Sequence, residues 1–318
     1  MATESAITNW MAHPGVVDVP SNPDAIDKAM DAWIMRADTL KPELGQFFER
    51  RKPVTDSLKI TTLGSELELP KLSSDTAALS GNTVEPTQGY DITFTTRNFY
   101  SILEITDDML KMDLSGKISG MMQGMPNSYR RLYEYAYVYS LIDNAFANVV
   151  GADGCYLCSD SHPNELSRHS GWDNLEAASA FSDTTWATCR VNMMTRKGRL
   201  GDPDPRLPKT LIHPPALTQT VFRVLRSPLL PGYALNDANW NQDSVTPMPS
   251  HWMTSTTAWL ALDGSTGDER GLYLVERQAP EITQFKRENP YIKKSWAGKA
   301  AFVTGFSICR GIHGSVGA

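Results

Sequence analysis

The stretch YEYAYVYS, Tyr133 to Ser140, places a tyrosine at every second position. Strict alternation is the pattern of a half-buried β-strand. At ~100° per residue, however, the same side chains sort into two helical stripes. Tyr129, Tyr133, Tyr137 and Leu141 recur at steps of four on one stripe, and Leu132, Tyr135, Tyr139 and Ile142 lie on a second. Apolar patterning continues through SLIDNAFANVV to Val150, well past the usual strand length of about 5–6 residues. Ser140, Asp143 and Asn144 would sit awkwardly in a buried strand, but they fit between two helix stripes. The spacing predicts one long helix that starts near Leu114 or at Pro126 and runs to Val150, with Gly151 as its stop. A surface helix needs one apolar stripe; two stripes require partners on two sides. Tyrosine suits such contacts, because its ring buries area while its hydroxyl reaches polar partners.

The elements on either side restrict what those partners are. In SNPDAIDKAMDAWIMRAD, Asn22 can cap a helix, Pro23 suits its first position and Asp24 its first turn, with Ala25, Met30, Trp33 and Ile34 as the stripe. A second short helix is expected from Pro42 through PELGQFFERR, so residues 1–52 read as an extended arm with helical pieces. SLKITTL, SELELPKL and YDITFTTRNFYSILEIT alternate with β periodicity, around a polar, turn-rich SSDTAALSGNTVEPTQG. This predicts a long hairpin over 53–98. A lone two-stranded ribbon is marginal in water, so Ile60, Leu67 and Leu69 are expected to find partners on other chains.

Beyond the long helix, residues 155–180 read as irregular. SDTTWATCRVNMMTRKG reads as a helix capped by Ser182 or Asp183 and stopped by Gly198. KTLIHP reads as a short buried strand and PALTQTVFRVLRSP as a helix; 228–257 reads as loops. AWLALDG, GLYLVERQ, EITQFK and KAAFVTGFSICRG read as strands. Helices and strands are interspersed with no regular βαβ repeat, which indicates an α+β fold.

Chemistry is sparse. The chain has 318 residues with a net charge of −6, which suits solubility and argues against a surface that wraps nucleic acid. No window approaches ~18 consecutive apolar residues, so no membrane-spanning helix is expected, and the N-terminus lacks signal-peptide character. Cys155 and Cys158 form a C-x-x-C followed by His162, the best metal-like spacing present; Cys189 or Cys309 could complete a zinc site. The competing reading is small, half-buried side chains in an irregular segment, all reduced. HGSVG near the C-terminus has His313 where the first glycine of a nucleophile elbow belongs. Gly116-Lys117 and Gly298-Lys299 lack phosphate-loop context. Asp107-Asp108 is expected to cap a helix after a strand. His13, His162, His169, His213, His251 and His313 are scattered, and Arg130 with Arg131 is the nearest thing to a basic patch. No catalytic, cofactor-binding or metal residue is therefore assigned.

The element order, together with YSILEITDDMLKMD before the long helix, CYLCSDSHPN after it and LPKTLIHPPALTQTVFRVLRSP further on, resembles the major capsid proteins of tailed double-stranded DNA phages, the HK-97-like fold. More narrowly it is similar to the Mu-type major head subunits, which carry an Asp-His-Pro similar to the Ser-Asp-x-His-Pro at Ser159–Pro163. The resemblance implies an N-terminal arm (1–52), an E-loop hairpin (53–98), a P domain (99–208) whose spine helix is 114–150, an A domain (209–295) and a C-terminal return to the P domain (296–318). It implies a structural protein without catalysis or cofactor, made in the host cytoplasm and located in the virion. Pentamers and hexamers of the chain would close an icosahedral shell around DNA held without sequence specificity. Portal and cement or decoration proteins would be its further partners. Only about twenty residues precede the arm's first expected helix, so a scaffolding segment is expected to be absent or to lie outside this chain, and no Lys–Asn crosslink pair can be placed. Two alternatives stay open: an encapsulin-like nanocompartment shell, and a zinc or thiol enzyme using Cys155, Cys158 and His162.

Overall fold

Two apolar sheets and one long helix account for most of the buried surface. The computed structural model describes residues 43–63, 88–106, 108–109, 117–143, 145–164, 170–198, 201–229, 238–265, 270–286 and 292–317. In chain order the described strands and α-helices are β1 (Glu49–Arg51), β2 (Ser57–Leu63), β3 (Gln88–Thr95), β4 (Arg97–Thr106), α1 (Lys117–Val138), β5 (Leu175–Glu176), α2 (Asp183–Met194), β6 (Pro208–His213), α3 (Thr218–Arg226), β7 (Thr246–Pro249), β8 (Trp259–Asp263), β9 (Leu272–Phe285), β10 (Ile292–Phe306) and β11 (Ile312–Ser315). One sheet has the order β1-β9-β10-β4, a second β5-β11-β8-β6-β7, and β2-β3 form a ribbon. The architecture is mixed α+β, as the element order predicts.

Helix α1 lies on the four-stranded sheet through its tyrosines. Tyr129 shares a hydrogen bond of 2.9 Å with Ser101 of β4. Tyr133 stacks on Phe302 of β10 at 4.3 Å between ring centroids, and its hydroxyl donates to Glu276 of β9. Tyr137 packs on Phe48 at 4.6 Å. One stripe thus crosses the sheet from one edge toward the other. Gly298 makes room for it, because a Cβ there would meet the Tyr129 ring at 2.5 Å.

The second stripe differs from expectation. Tyr135 and Tyr139 do face away from the sheet, 6.3 Å apart, and are 54% and 45% exposed. Leu132 and Ile142 do not join them: Ile142 is buried in the main core and Leu132 packs against it. The helix also stops sooner than Val150. At Tyr139–Asp143 it widens to a π turn, and residues 145–148 form turns with Asn148 at φ 71°. The widening has a local cause. The Ala136 carbonyl accepts from the hydroxyls of Ser140 (2.8 Å) and Thr304 (2.7 Å), which compete with the helical amide for it. Pro126 sits inside the helix rather than at its start.

The five-stranded sheet is covered on both faces. Trp259 and Ala261 of β8 join Trp186, Cys189 and Met193 of α2 and Val221, Val224 and Leu225 of α3 in one core. Leu260 and Leu262 point the other way, into the main core beneath α1. That two-sided burial explains the continuous apolar run WLAL in a central strand.

Several elements depart from the sequence reading. The helix expected from Pro42 is a 3-10 turn, Leu44–Phe47, followed by β1, which pairs in parallel with β9. Leu44, Phe47 and Phe48 are too apolar to stay in a solvated arm and enter the main core. The strand expected over 90–106 breaks at Thr96, whose amide and hydroxyl both bond the Asp56 carbonyl. Ile60 packs against Phe94, Tyr273 and Val275 of its own chain. Leu67, Leu69 and the helix over 22–38 lie outside the described residues. Helix α2 is capped by Ser182 in a reciprocal box with Thr185 but ends at Met194, before Gly198, because Arg196 leaves the helix to reach the carbonyls of Arg310 and Ile312. Residues 228–257, read as loops, contain β7 paired in parallel with β6. GLYLVERQ and EITQFK are one strand: β9 carries an extra residue at Ala279–Pro280, a bulge between the Lys299 and Ala301 pairings of β10, and so runs through the proline. The expected boundary at 295/296 falls inside β10, and β9 bonds to β10 rather than to the five-stranded sheet.

The two tyrosine stripes should separate in denaturation experiments. Phe302→Ala, which removes the ring under Tyr133, should cost about 3–5 kcal/mol in urea unfolding. Tyr135→Ala on the exposed face should stay within about 0.5 kcal/mol of the parent.

Candidate functional site

The segment between α1 and β5 is irregular in outline but closely bonded. Val150 bridges Tyr156 and His162 bridges Trp172. The amide of Cys158 donates to Ala145 at 2.7 Å. Within this segment Asp153, Cys155 and His162 come together, with one potential ligand atom from each lying within 4.8 Å of the others. His162 Nδ1 is 2.6 Å from Asp153 Oδ2, and Nε2 is 3.0 Å from Asn174 Oδ1. The imidazole stacks on Trp172 at 4.0 Å and 9°. Trp172 in turn has the guanidinium groups of Arg196 and Arg310 at 5.4 and 5.2 Å from its ring.

Cys158 is absent from this group. It is buried in the main core, where burial pushes its thiol up to about 12. A Cβ on Gly314 would come within 2.9 Å of its sulfur. Cys189 and Cys309 are likewise core thiols, raised by burial. The C-x-x-C spacing is therefore split by the fold: residue 155 faces the polar loop and residue 158 the core.

A second polar cluster ties the C-terminus to this loop. The Arg196 guanidinium donates to His313 Nδ1 at 3.0 Å, so the other ring nitrogen carries the hydrogen and faces Glu176 at 3.4 Å. Burial, and then the adjacent Arg196 charge, hold the His313 ring neutral, with its pKa down at about 3. Ser315 of HGSVG donates to the Ala177 carbonyl from within β11 and is buried. His313 faces Arg196 and Glu176, so the motif is a sheet strand and not a nucleophile elbow.

The remaining sequence candidates lie apart. His213 is buried with Nδ1 at 2.9 Å from the Pro214 carbonyl; His251 is exposed. His13, His169, Asp107 and Gly116 lie outside the described residues. The turn after β4 is closed by Thr106, whose hydroxyl accepts from the Met109 amide at 3.2 Å, the role expected of Asp107-Asp108. Gly298 and Lys299 belong to β10, and Arg130 and Arg131 to α1. An open cleft of about 990 Å³ between residues 43–50 and β6–β7 is lined by Glu43, Gln46, Arg50, Thr210 and Met248 among others, without a nucleophile–base pair. Asp153, Asn174, Trp172, Arg196 and Glu176 were not singled out from sequence. The irregular reading of 155–180 covers Trp172, Asn174 and Glu176 without marking them, and no local signal pointed to Asp153 or Arg196.

The outer surfaces of the helix–sheet layer form the other notable feature. Behind the four-stranded sheet, Tyr100 and Ile102 of β4 are 70% and 61% exposed, while Phe99 and Ser101 point to α1. With Tyr135 and Tyr139 on the far side of α1, the layer carries aromatic and aliphatic groups on both outer faces. No helix among the described residues is long and apolar enough to cross a membrane.

Comparison with known proteins gives three results. A family model described as phage capsid protein matches residues 90–310. Among solved structures, one described as the capsid of a native GTA particle aligns with a TM-score of 0.56 at 13% identity, covering 86% of this chain and 89% of that one. A Mycobacterium phage Bobi chain aligns at 0.53 and 12% identity, covering 88% and 91%. A chain from the capsid of cyanophage P-SCSP1u aligns at 0.53 and 11% identity, covering 88% and 90%. No curated protein matches the sequence.

His313 should leave a signature in acid stability. Its unfolded-state value is near 6.5 and its folded value near 3. Between these the unfolded chain binds a proton that the folded chain does not, so stability should fall as pH drops from about 6.5 to about 3. Glu176, held above the ordinary carboxylate range by burial, acts in the opposite sense. His313→Gln keeps an acceptor for Arg196 and a donor for Glu176 without titrating. It should flatten the acid limb in denaturant midpoints measured across this window.

Proposed function

The chain belongs to the phage capsid protein family, and on that premise we propose that it works by assembling with itself, as pentamers and hexamers, into an icosahedral shell around double-stranded DNA. It is a major capsid protein with the HK-97-like fold. In this reading the 53–98 hairpin lies over a neighbouring subunit and the segment before Glu43 reaches along another. The four-stranded sheet with α1 forms the peripheral unit and the five-stranded sheet with α2 and α3 the axial one, which moves β9 out of the expected 209–295 unit and β5 and α2 out of the expected 99–208 one. The finer Mu-type assignment rests on the Ser-Asp-x-His-Pro signature at Ser159–Pro163, similar to that family's Asp-His-Pro. A net charge of −6 fits a container that confines DNA without gripping it. Portal and decoration proteins complete the proposed set of virion partners.

The observation that carries the assembly reading is the helix–sheet layer with apolar side chains on both outer faces. Tyr135 and Tyr139 stand on one side, Tyr100 and Ile102 on the other. Exposed apolar groups grouped in this way mark contact surfaces, and obligate assemblies bury large ones, ~2,000 Å² or more. The β2–β3 ribbon packs its apolar face on Tyr273 and Val275 of the four-stranded sheet and pairs with no other described strand. A zinc or thiol enzyme built on Cys155, Cys158 and His162 loses its support with Cys158 in the core.

Electron microscopy and sedimentation of the purified protein test the reading. Rings or closed shells are expected, with packaged DNA rather than protein cargo in native particles. Cargo protein would favour the nanocompartment alternative. Tyr135→Asp combined with Tyr139→Asp should leave the denaturation midpoint unchanged yet cut particle yield by about tenfold or more, as loss of an interface anchor does. A parent chain that stays monomeric under every assembly condition would overturn the proposal.

A further inference from the structure

The loop after α1 holds three side chains of different metal-binding chemistry with their ligand atoms already converged. We propose that Asp153, Cys155 and His162 form a binding site for a zinc-type divalent ion, with the fourth position taken by water. The site is independent of the shell reading above.

The neighbouring hydrogen bonds select the ligand atoms. Asn174 Oδ1 accepts from the Ser159 amide at 2.7 Å, and its Nδ2 donates to the Leu157 carbonyl at 2.7 Å. The orientation of this amide is therefore set. His162 Nε2, 3.0 Å from the same Oδ1, must carry a hydrogen. That leaves Nδ1 as the ligating nitrogen, oriented by a partner on the far ring nitrogen as metal-bound histidines usually are. Asp153 is oriented in the same manner: its Oδ1 accepts from the Cys155 amide at 3.1 Å, which turns Oδ2 toward His162. Trp172 covers one face of the imidazole. His162 and Asp153 are thus held by contacts that metal binding does not break, whereas the Cys155 thiol donates to the Ser161 carbonyl at 3.3 Å and gives up that bond on ligation.

Charge and donor type indicate the ion. A thiolate, an imidazole and a carboxylate form a borderline-soft set that suits zinc or cobalt rather than magnesium or calcium. A doubly charged ion neutralises Asp153 and the Cys155 thiolate, which matters because the His162 and Asp153 side chains are only 4% and 2% exposed. Nδ1 and Oδ2 are 2.6 Å apart, and ligation of the thiolate releases the thiol proton to solvent. The two atoms separate to roughly 3.3 Å, the edge of a tetrahedron with ~2.0–2.1 Å bonds. The pattern is D-x-C followed by His162, and Cys158 takes no part.

Cobalt(II) titration of the full chain, after chelator treatment, tests the site. One equivalent should bind with a thiolate-to-cobalt charge-transfer band that zinc displaces. Cys155→Ser should abolish the band and weaken zinc binding by at least about tenfold, whereas Cys158→Ala should retain the band. A folded parent that takes up no stoichiometric cobalt overturns the proposal. So does a band that survives Cys155→Ser and disappears in Cys158→Ala. The parent titration decides even if a variant folds poorly.

Discussion

The tyrosine stripe of α1 against the four-stranded sheet is the contact on which the other elements depend. Tyr129, Tyr133 and Tyr137 meet β4, β10 and the residues leading into β1 in turn. Each ring supplies apolar area, and two of the hydroxyls end on polar groups of the sheet, Ser101 and Glu276. Leucines could fill the same volume but would leave those polar groups without partners. The close approach also requires Gly298 opposite Tyr129. Through this contact the strands β9 and β10, far along the chain, are brought together with the first described segment, so that Leu44, Phe47 and Phe48 can close the core.

That arrangement leaves one consequence for assembly. A helix and a sheet that bury their facing sides would ordinarily show polar outer sides. Here both outer sides keep aromatic or aliphatic groups, Tyr135 and Tyr139 on one and Tyr100 and Ile102 on the other. In the proposed shell these are the surfaces that would face neighbouring subunits. The polar loop of 150–174 serves a different purpose. With Trp172 between His162 and two arginines, it joins the end of α1 to the C-terminal strand β11 through Arg196 and His313.

Much of the fold was legible from periodicity. The helix-over-strand choice for YEYAYVYS, the paired strands at Ser57 and Gln88, the Ser182 cap and the buried run of β8 all follow from side-chain period and local capping chemistry. The misses share one physical cause. Helix α1 stops early because Thr304 reaches its Ala136 carbonyl. Helix α2 stops early because Arg196 finds carbonyls near Arg310. Strand β9 passes Pro280 because it bulges there while staying paired with β10. Each partner is distant in sequence, so no local window contains the information. The polar loop behaves likewise: Cys155-x-x-Cys158 is a conspicuous spacing, yet the group that converges is Asp153, Cys155 and His162.

Sequence alone determined the α+β class, the two-faced helix, the hairpin and, through YSILEITDDMLKMD and CYLCSDSHPN, the capsid resemblance. These depend on side-chain period and on short motifs, which are local properties of the chain. Tertiary structure decided which stripe is buried, where the helices end, that Glu49–Arg51 is a strand of the main sheet, and which cysteine faces the polar loop. These outcomes depend on competition for hydrogen-bond acceptors and core volume between segments brought together only by folding.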